Sequence, residues 1–161
     1  ALPQLILATH CFKKILIPYT ADTRGQMGTV VMGVVKNDIH DIGKNLVVSM
    51  LQVYSYKVID LGKDVPLEKF VSEAKKVNAN IIGAGTLLTA TMPELSEIIN
   101  MMKEAGIRDK VKFAVGGAPL TTTYAKHIGA DGYAADAILG VEMASHLMKG
   151  EQNYQSARQD K

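Results

Sequence analysis

Asp38-Ile39-His40-Asp41-Ile42-Gly43 places an imidazole two residues from a carboxylate, in a stretch that ends in glycine. A carboxylate on one ring nitrogen fixes the tautomer and leaves the other nitrogen as a basic metal ligand. The stretch follows an apolar run, 29–35, that reads as a buried strand, and precedes an amphipathic run that reads as a helix. A loop at the carboxyl end of a strand is where open parallel α/β sheets bind their ligands. Two plainer roles compete: Asp38 as a cap for the following helix and Asp41 as an acid in its first turn.

The remaining chain alternates strand and helix with short connections. Strands are expected at 29–35, 56–61, 80–85, 111–115 and 131–134, and helices at about 43–54, 67–77, 92–105, 121–128 and 136–149. Pro66 and Pro93 suit first helical turns. Thr91-Met92-Pro93-Glu94 has the spacing of a capping box. Gly106, Gly129 and Gly150 stand where helices should end. The strands are continuous apolar runs, which argues for a parallel sheet covered on both faces. The expected architecture is α/β: a doubly wound, five-stranded, flavodoxin-like parallel sheet in the order 2-1-3-4-5.

Ahead of it, Leu2–Ile17 has helical periodicity, starts without a capping residue and stops at Pro18. It reads as the end of a longer helical element, a truncated cap over 1–18. A linker follows at 19–28, then the main domain at 29–150 and a polar, frayed tail at 151–161. On this reading the chain is a fragment or a processed form, with an apolar face on Leu2–Ile17 suited to a homodimer contact.

Composition narrows the function classes. Of 161 residues, 47% are hydrophobic and 21% charged, and the net charge is +2. That balance suits one globular domain and argues against nucleic-acid or membrane partners. The single cysteine, Cys11, excludes an internal disulfide, and a cytoplasmic location is expected.

In such a fold every loop after a strand opens on one edge. There the chain carries Gly85-Thr86-Leu87-Leu88-Thr89-Ala90-Thr91, Gly116-Gly117-Ala118-Pro119 and Tyr133-Ala134-Ala135-Asp136. Small residues at three strand ends leave room for a bulky, partly apolar group buried edge-on. A P-loop is excluded because Asp38 stands where its first glycine belongs, and no G-x-G-x-x-G follows the first strand. A phosphorelay receiver would want an aspartate where Gly85 and Thr86 stand.

Asp38-x-His40-x-x-Gly43, Gly85-x-Leu87 and Gly116-Gly117 together resemble the D-x-H-x-x-G, S-x-L and G-G signature of cobalamin-binding domains. The string 38–45, Asp-Ile-His-Asp-Ile-Gly-Lys-Asn, resembles the methyltransferase branch, which includes methionine synthase. The loops at 85–92, 116–119 and 129–134 are most similar to small methyl-carrying corrinoid proteins. The resemblance spans about 28–149, and Leu2–Ile17 is similar to the last helix of the family's helical cap.

The resemblance implies a corrinoid cofactor, cobalamin or a relative, with His40 as the lower axial ligand of cobalt in place of the cofactor's own base. Asp38 would hold the other nitrogen of His40, and Thr91 would hydrogen-bond Asp38. Asp41, Ile42 and Gly43 would wall the slot for the nucleotide tail, with Leu87 beside it. Gly116 and Gly117 would let the backbone approach the tail, and Thr89, Tyr133, Ala134 and Asp136 would line it. The family serine that would hydrogen-bond the buried base is Gly85 here. That bond is then lost, made by Thr86 or Thr89, or replaced by water, and tolerance of different lower bases is expected.

The implied function is a methyl carrier, not catalytic alone. It would accept a methyl group on cobalt from a substrate-specific methyltransferase and pass it to a second one serving a folate, pterin or thiol acceptor. A reductive activase is a further implied partner. The rival readings are the carrier domain of an adenosylcobalamin mutase and a cobalamin sensor or storage protein.

Overall fold

A computed structural model describes residues 25–151 and 154–155. The expected cap helix and most of the linker lie outside the described residues. Six strands form one sheet: β1 (Gly28–Val34), β2 (Tyr56–Asp60), β3 (Ile81–Gly85), β4 (Lys112–Gly116), β5 (Gly132–Ala134) and β6 (Tyr154–Gln155). Five helices connect them: α1 (Ile42–Val53), α2 (Leu67–Lys76), α3 (Pro93–Glu104), α4 (Thr122–Ile128) and α5 (Ala137–Met148). The strand order is β2-β1-β3-β4-β5-β6, and every pairing is parallel. The expected 2-1-3-4-5 order is therefore present. The short β6 extends it beyond β5, so the tail is not frayed at 154–155.

Local sequence explains the helices. In α2, Leu67, Phe70, Val71 and Ala74 are buried, the i, i+3, i+4, i+7 stripe of an amphipathic helix. Glu68 in its first turn and Lys75 and Lys76 in its last complement the helix dipole. In α3, Pro93 occupies the first turn, where its missing N–H costs nothing, and Leu95, Ile98, Ile99 and Met102 are buried. Gly129 ends α4 in the left-handed conformation. The capping box at Thr91–Glu94 does not form: Met92 is the N-cap of α3 and makes no side-chain capping bond. Pro66 sits one position before α2, as its N-cap. Side-chain caps occur instead at Thr121 on α4 and Asp136 on α5.

The helices cover the sheet in two layers, and the pleat divides the strand residues between them. Against α2, α3 and α4 the sheet presents Val31, Val35, Ile82, Phe113, Val115 and Tyr133. Against α1 and α5 it presents Val30, Ile81, Ala114 and Ala134. On that second face the residues shrink toward the carboxyl edge, from Ile81 through Gly83 to Gly85 and from Ala114 to Gly116. No strand side chain fills the space beneath α1 and α5 there, and a slot remains.

Candidate functional site

The slot has a volume of about 350 Å³ and lies between the carboxyl ends of β3–β5 and the start of α1 and α5. Gly43, Gly85, Gly116, Ala134 and Gly140 line it, and His40 reaches it from the β1–α1 loop. A Cβ added at Gly43 would meet nothing within 4 Å, and one at Gly85 nothing closer than 3.6 Å. Gly43 and Gly85 thus border open space rather than relieving a clash.

His40 and Asp38 are joined twice. The Asp38 carboxylate accepts the backbone N–H of His40 at 2.9 Å and its ring Nδ1–H at 2.7 Å, both on Oδ1. On Oδ2 it accepts the Thr86 hydroxyl at 2.9 Å and the Leu87 backbone N–H at 2.6 Å. Asp38 is fully buried, whereas the His40 side chain is half exposed. Burial pushes the Asp38 pKa up, but the bonds from Leu87, His40 and Thr86 outweigh it and hold the pKa at about 2. An ionised Asp38 has no proton to give, so Nδ1 of His40 carries the hydrogen, and in the neutral imidazole the lone pair falls on Nε2.

The same logic orients the hydroxyls. Thr86 donates to Asp38, and Thr91 lies 2.5 Å from the Thr86 hydroxyl, so Thr91 donates to Thr86. Thr91 therefore reaches Asp38 through Thr86 rather than directly. In a parallel sheet with β1 beside β3, Val34 pairs Gly85, which sets Thr86 next to the β1–α1 loop. The resemblance assigns the bond to Asp38 to Thr91, whereas the structure gives it to Thr86.

Several contacts brace this network. Gly117 has φ +140°, and a Cβ there would fall 1.8 Å from the Thr86 carbonyl oxygen, so only glycine lets the β4 loop support Thr86 this closely. Asp64 donates its N–H to the Asp38 carbonyl at 3.0 Å and accepts the Asn37 N–H on its side chain at 2.8 Å. Lys44 borders the slot but is buried with its ammonium turned away from it, 2.5 Å from Asp60 on β2.

The structure does not bring all the expected residues together. Asp38, His40, Gly43, Gly85, Leu87, Gly116, Gly117, Ala134 and Asp136 converge on the slot or its network. Tyr133 does not line it: its side chain is buried in the opposite layer, and its hydroxyl donates to the Leu120 carbonyl at 3.0 Å. Thr89 is exposed on a 3-10 turn away from the slot lining. Asp41 is the N-cap of α1 and makes no side-chain capping bond; Ile42 begins the helix without lining the slot.

Among the described residues no group of three His, Cys, Asp or Glu side chains converges on a metal site. No helix among them is long and apolar enough to cross a membrane.

Comparisons with known proteins fit this geometry. A family model, the B12 binding domain, matches residues 28–142. Dimethylamine corrinoid protein 3 of Methanosarcina mazei is 47% identical over 153 residues, 91% of each chain. The structure of a Methanosarcina barkeri monomethylamine corrinoid protein superposes with a TM-score of 0.75 at 30% identity, over 90% of this chain and 71% of that one. A chain of the methanol:cobalamin methyltransferase complex MtaBC from Methanosarcina barkeri gives 0.74 at 32% identity, over 84% of this chain and 52% of that one.

Proposed function

The chain belongs to the B12-binding domain family, and we propose that it is a methyl-carrying corrinoid protein whose His40 supplies the lower axial ligand of cobalt. The observation that carries this reading is the fixed tautomer of His40, which leaves a lone pair on Nε2 beside a deep slot. One protein ligand is enough only for a metal that brings its own equatorial ligands, and a corrin ring does so. Once His40 takes the lower position, the cofactor's own base needs room nearby, and the slot is where that room exists. Around His40, Ile39, Leu87 and Leu88 are exposed apolar side chains that a flat macrocycle would cover.

The bound corrinoid supplies a cobalt centre that takes up and releases a methyl group. The protein's own residues position it. Asp38 holds Nδ1–H and sets the ring plane, Thr86 and the Leu87 N–H fix Asp38, and Thr91 completes the relay. The partners are a substrate-specific methyltransferase and a second methyltransferase with a folate, pterin or thiol acceptor, together with a reductive activase. The relatives named for methylamines and the methanol complex support a one-carbon role without setting the donor for this chain.

The test is a spectrophotometric titration of the protein with hydroxocobalamin beside a His40→Ala variant. Retention of the corrinoid with an axial imidazole in the wild type, lost in the variant, supports the role. Identical spectra for the two would remove His40 from the coordination sphere.

A further inference from the structure

The slot beside His40 offers no side-chain donor to a base held beside Gly85. Besides His40, its polar lining side chains are Lys44, Thr86 and Asp136. The Lys44 ammonium is turned to Asp60 of β2. The Thr86 hydroxyl donates to Asp38 and is crowded by Thr91 and the Leu88 N–H. Asp136 accepts the Leu139 N–H to cap α5, and a carboxylate cannot donate to a ring nitrogen. Thr89 lies outside the slot. Of the ways to replace a hydroxyl at position 85, both side-chain routes are therefore closed.

We propose that the slot recognises the corrinoid's lower base mainly by shape, without a side-chain donor to its ring nitrogen, so that this protein takes up corrinoids whose bases differ in hydrogen-bonding capacity. The proposal rests on the corrinoid-carrier reading and names a specificity determinant within it, the missing side chain at Gly85. A flat base meets glycine and alanine faces on β3, β4 and β5, with Val47, Leu46 and Met143 opposite. Such contacts do not distinguish benzimidazole from purine or phenol rings of similar size. The same position offers a gain-of-function control. A Cβ at Gly85 clears its neighbours by 3.6 Å or more, and its φ is not left-handed, so serine fits and would add a donor to the slot.

The experiment titrates the full chain, wild type and Gly85→Ser, with cobamides bearing dimethylbenzimidazole, adenine and p-cresol tails, and with tail-less cobinamide. Each dissociation constant is corrected for that cobamide's own base-off equilibrium. The wild type should bind the tailed forms within about threefold of one another after correction. Gly85→Ser should favour the two nitrogen-bearing tails over p-cresol by about three- to tenfold, the effect of one net hydrogen bond. A corrected preference above about tenfold in the wild type, or a serine variant with no gained preference, overturns the proposal. Failure of every corrinoid, cobinamide included, to change the spectrum overturns the carrier reading itself, a result distinct from tail discrimination.

Discussion

The two faces of the central sheet are built from neighbouring residues of the same strands, yet they do opposite things. Toward α2–α4, Ile82, Phe113, Val115 and Tyr133 fill the layer and are buried. One residue away on each strand, toward α1 and α5, Gly83, Gly85, Gly116 and Ala134 leave it open at the carboxyl edge. The first face carries the larger core cluster, and the second is packed only up to the carboxyl edge, where the ligand space lies. The pleat makes this separation possible, because a substitution at one position moves only one face.

That contrast can be broken from either side. Phe113→Ala on the filled face should lower unfolding free energy by about 3–5 kcal/mol, read by urea denaturation, with the slot's glycines untouched. Gly85→Leu on the open face should do the reverse. Stability should stay within about 1 kcal/mol, because the side chain enters open space, while corrinoid affinity measured by titration should fall on the order of 100-fold, about 2.7 kcal/mol. A variant that moved both readouts together would mean the faces are coupled.

The polar network gives smaller, more specific effects. The folded pKa of Asp38, about 2, lies below its ordinary value of 3.8, so its ionised form stabilises the fold. That contribution, about 2 kcal/mol, is fully present above pH about 4 and is lost as the pH falls toward 2. Urea midpoints across that window should show the loss in the wild type and not in Asp38→Asn. Thr86→Val should cost about 1–2 kcal/mol, since it removes a donor from a buried carboxylate. Thr91→Val should cost less, about 0.5–1 kcal/mol, because its bond to Asp38 is indirect. Equal losses for the two threonines would contradict the order of the relay.

Much of this architecture is legible in the chain. Continuous apolar strands, prolines at helix starts and glycines past helix ends suffice for the five-strand order, and the motif residues Asp38, His40, Gly85 and Gly116 fall at the expected edge. The resemblance places Tyr133 in the slot, but side chains alternate along β5: with Ala134 facing the slot, Tyr133 faces away. Thr86, not Thr91, bonds Asp38, and Thr91 stands one step behind it; no local spacing encodes that order, which the β1–β3 register sets. The Lys44–Asp60 pair crosses from α1 to β2, and no local pattern encodes that meeting. β6 is a two-residue polar segment, joined to β5 by backbone pairing that side-chain periodicity does not report.

The most direct test of the central claim uses nuclear spin. The protein is labelled uniformly with nitrogen-15, loaded with a natural-abundance benzimidazole corrinoid and reduced to the paramagnetic cobalt(II) state. The electron paramagnetic resonance spectrum then reports which nitrogen sits below the cobalt. Ligation by His40 predicts superhyperfine doublets, from a spin-half nucleus in the protein, which disappear in His40→Ala. Triplets unchanged by the label would place the corrinoid's own base on the metal and contradict the account.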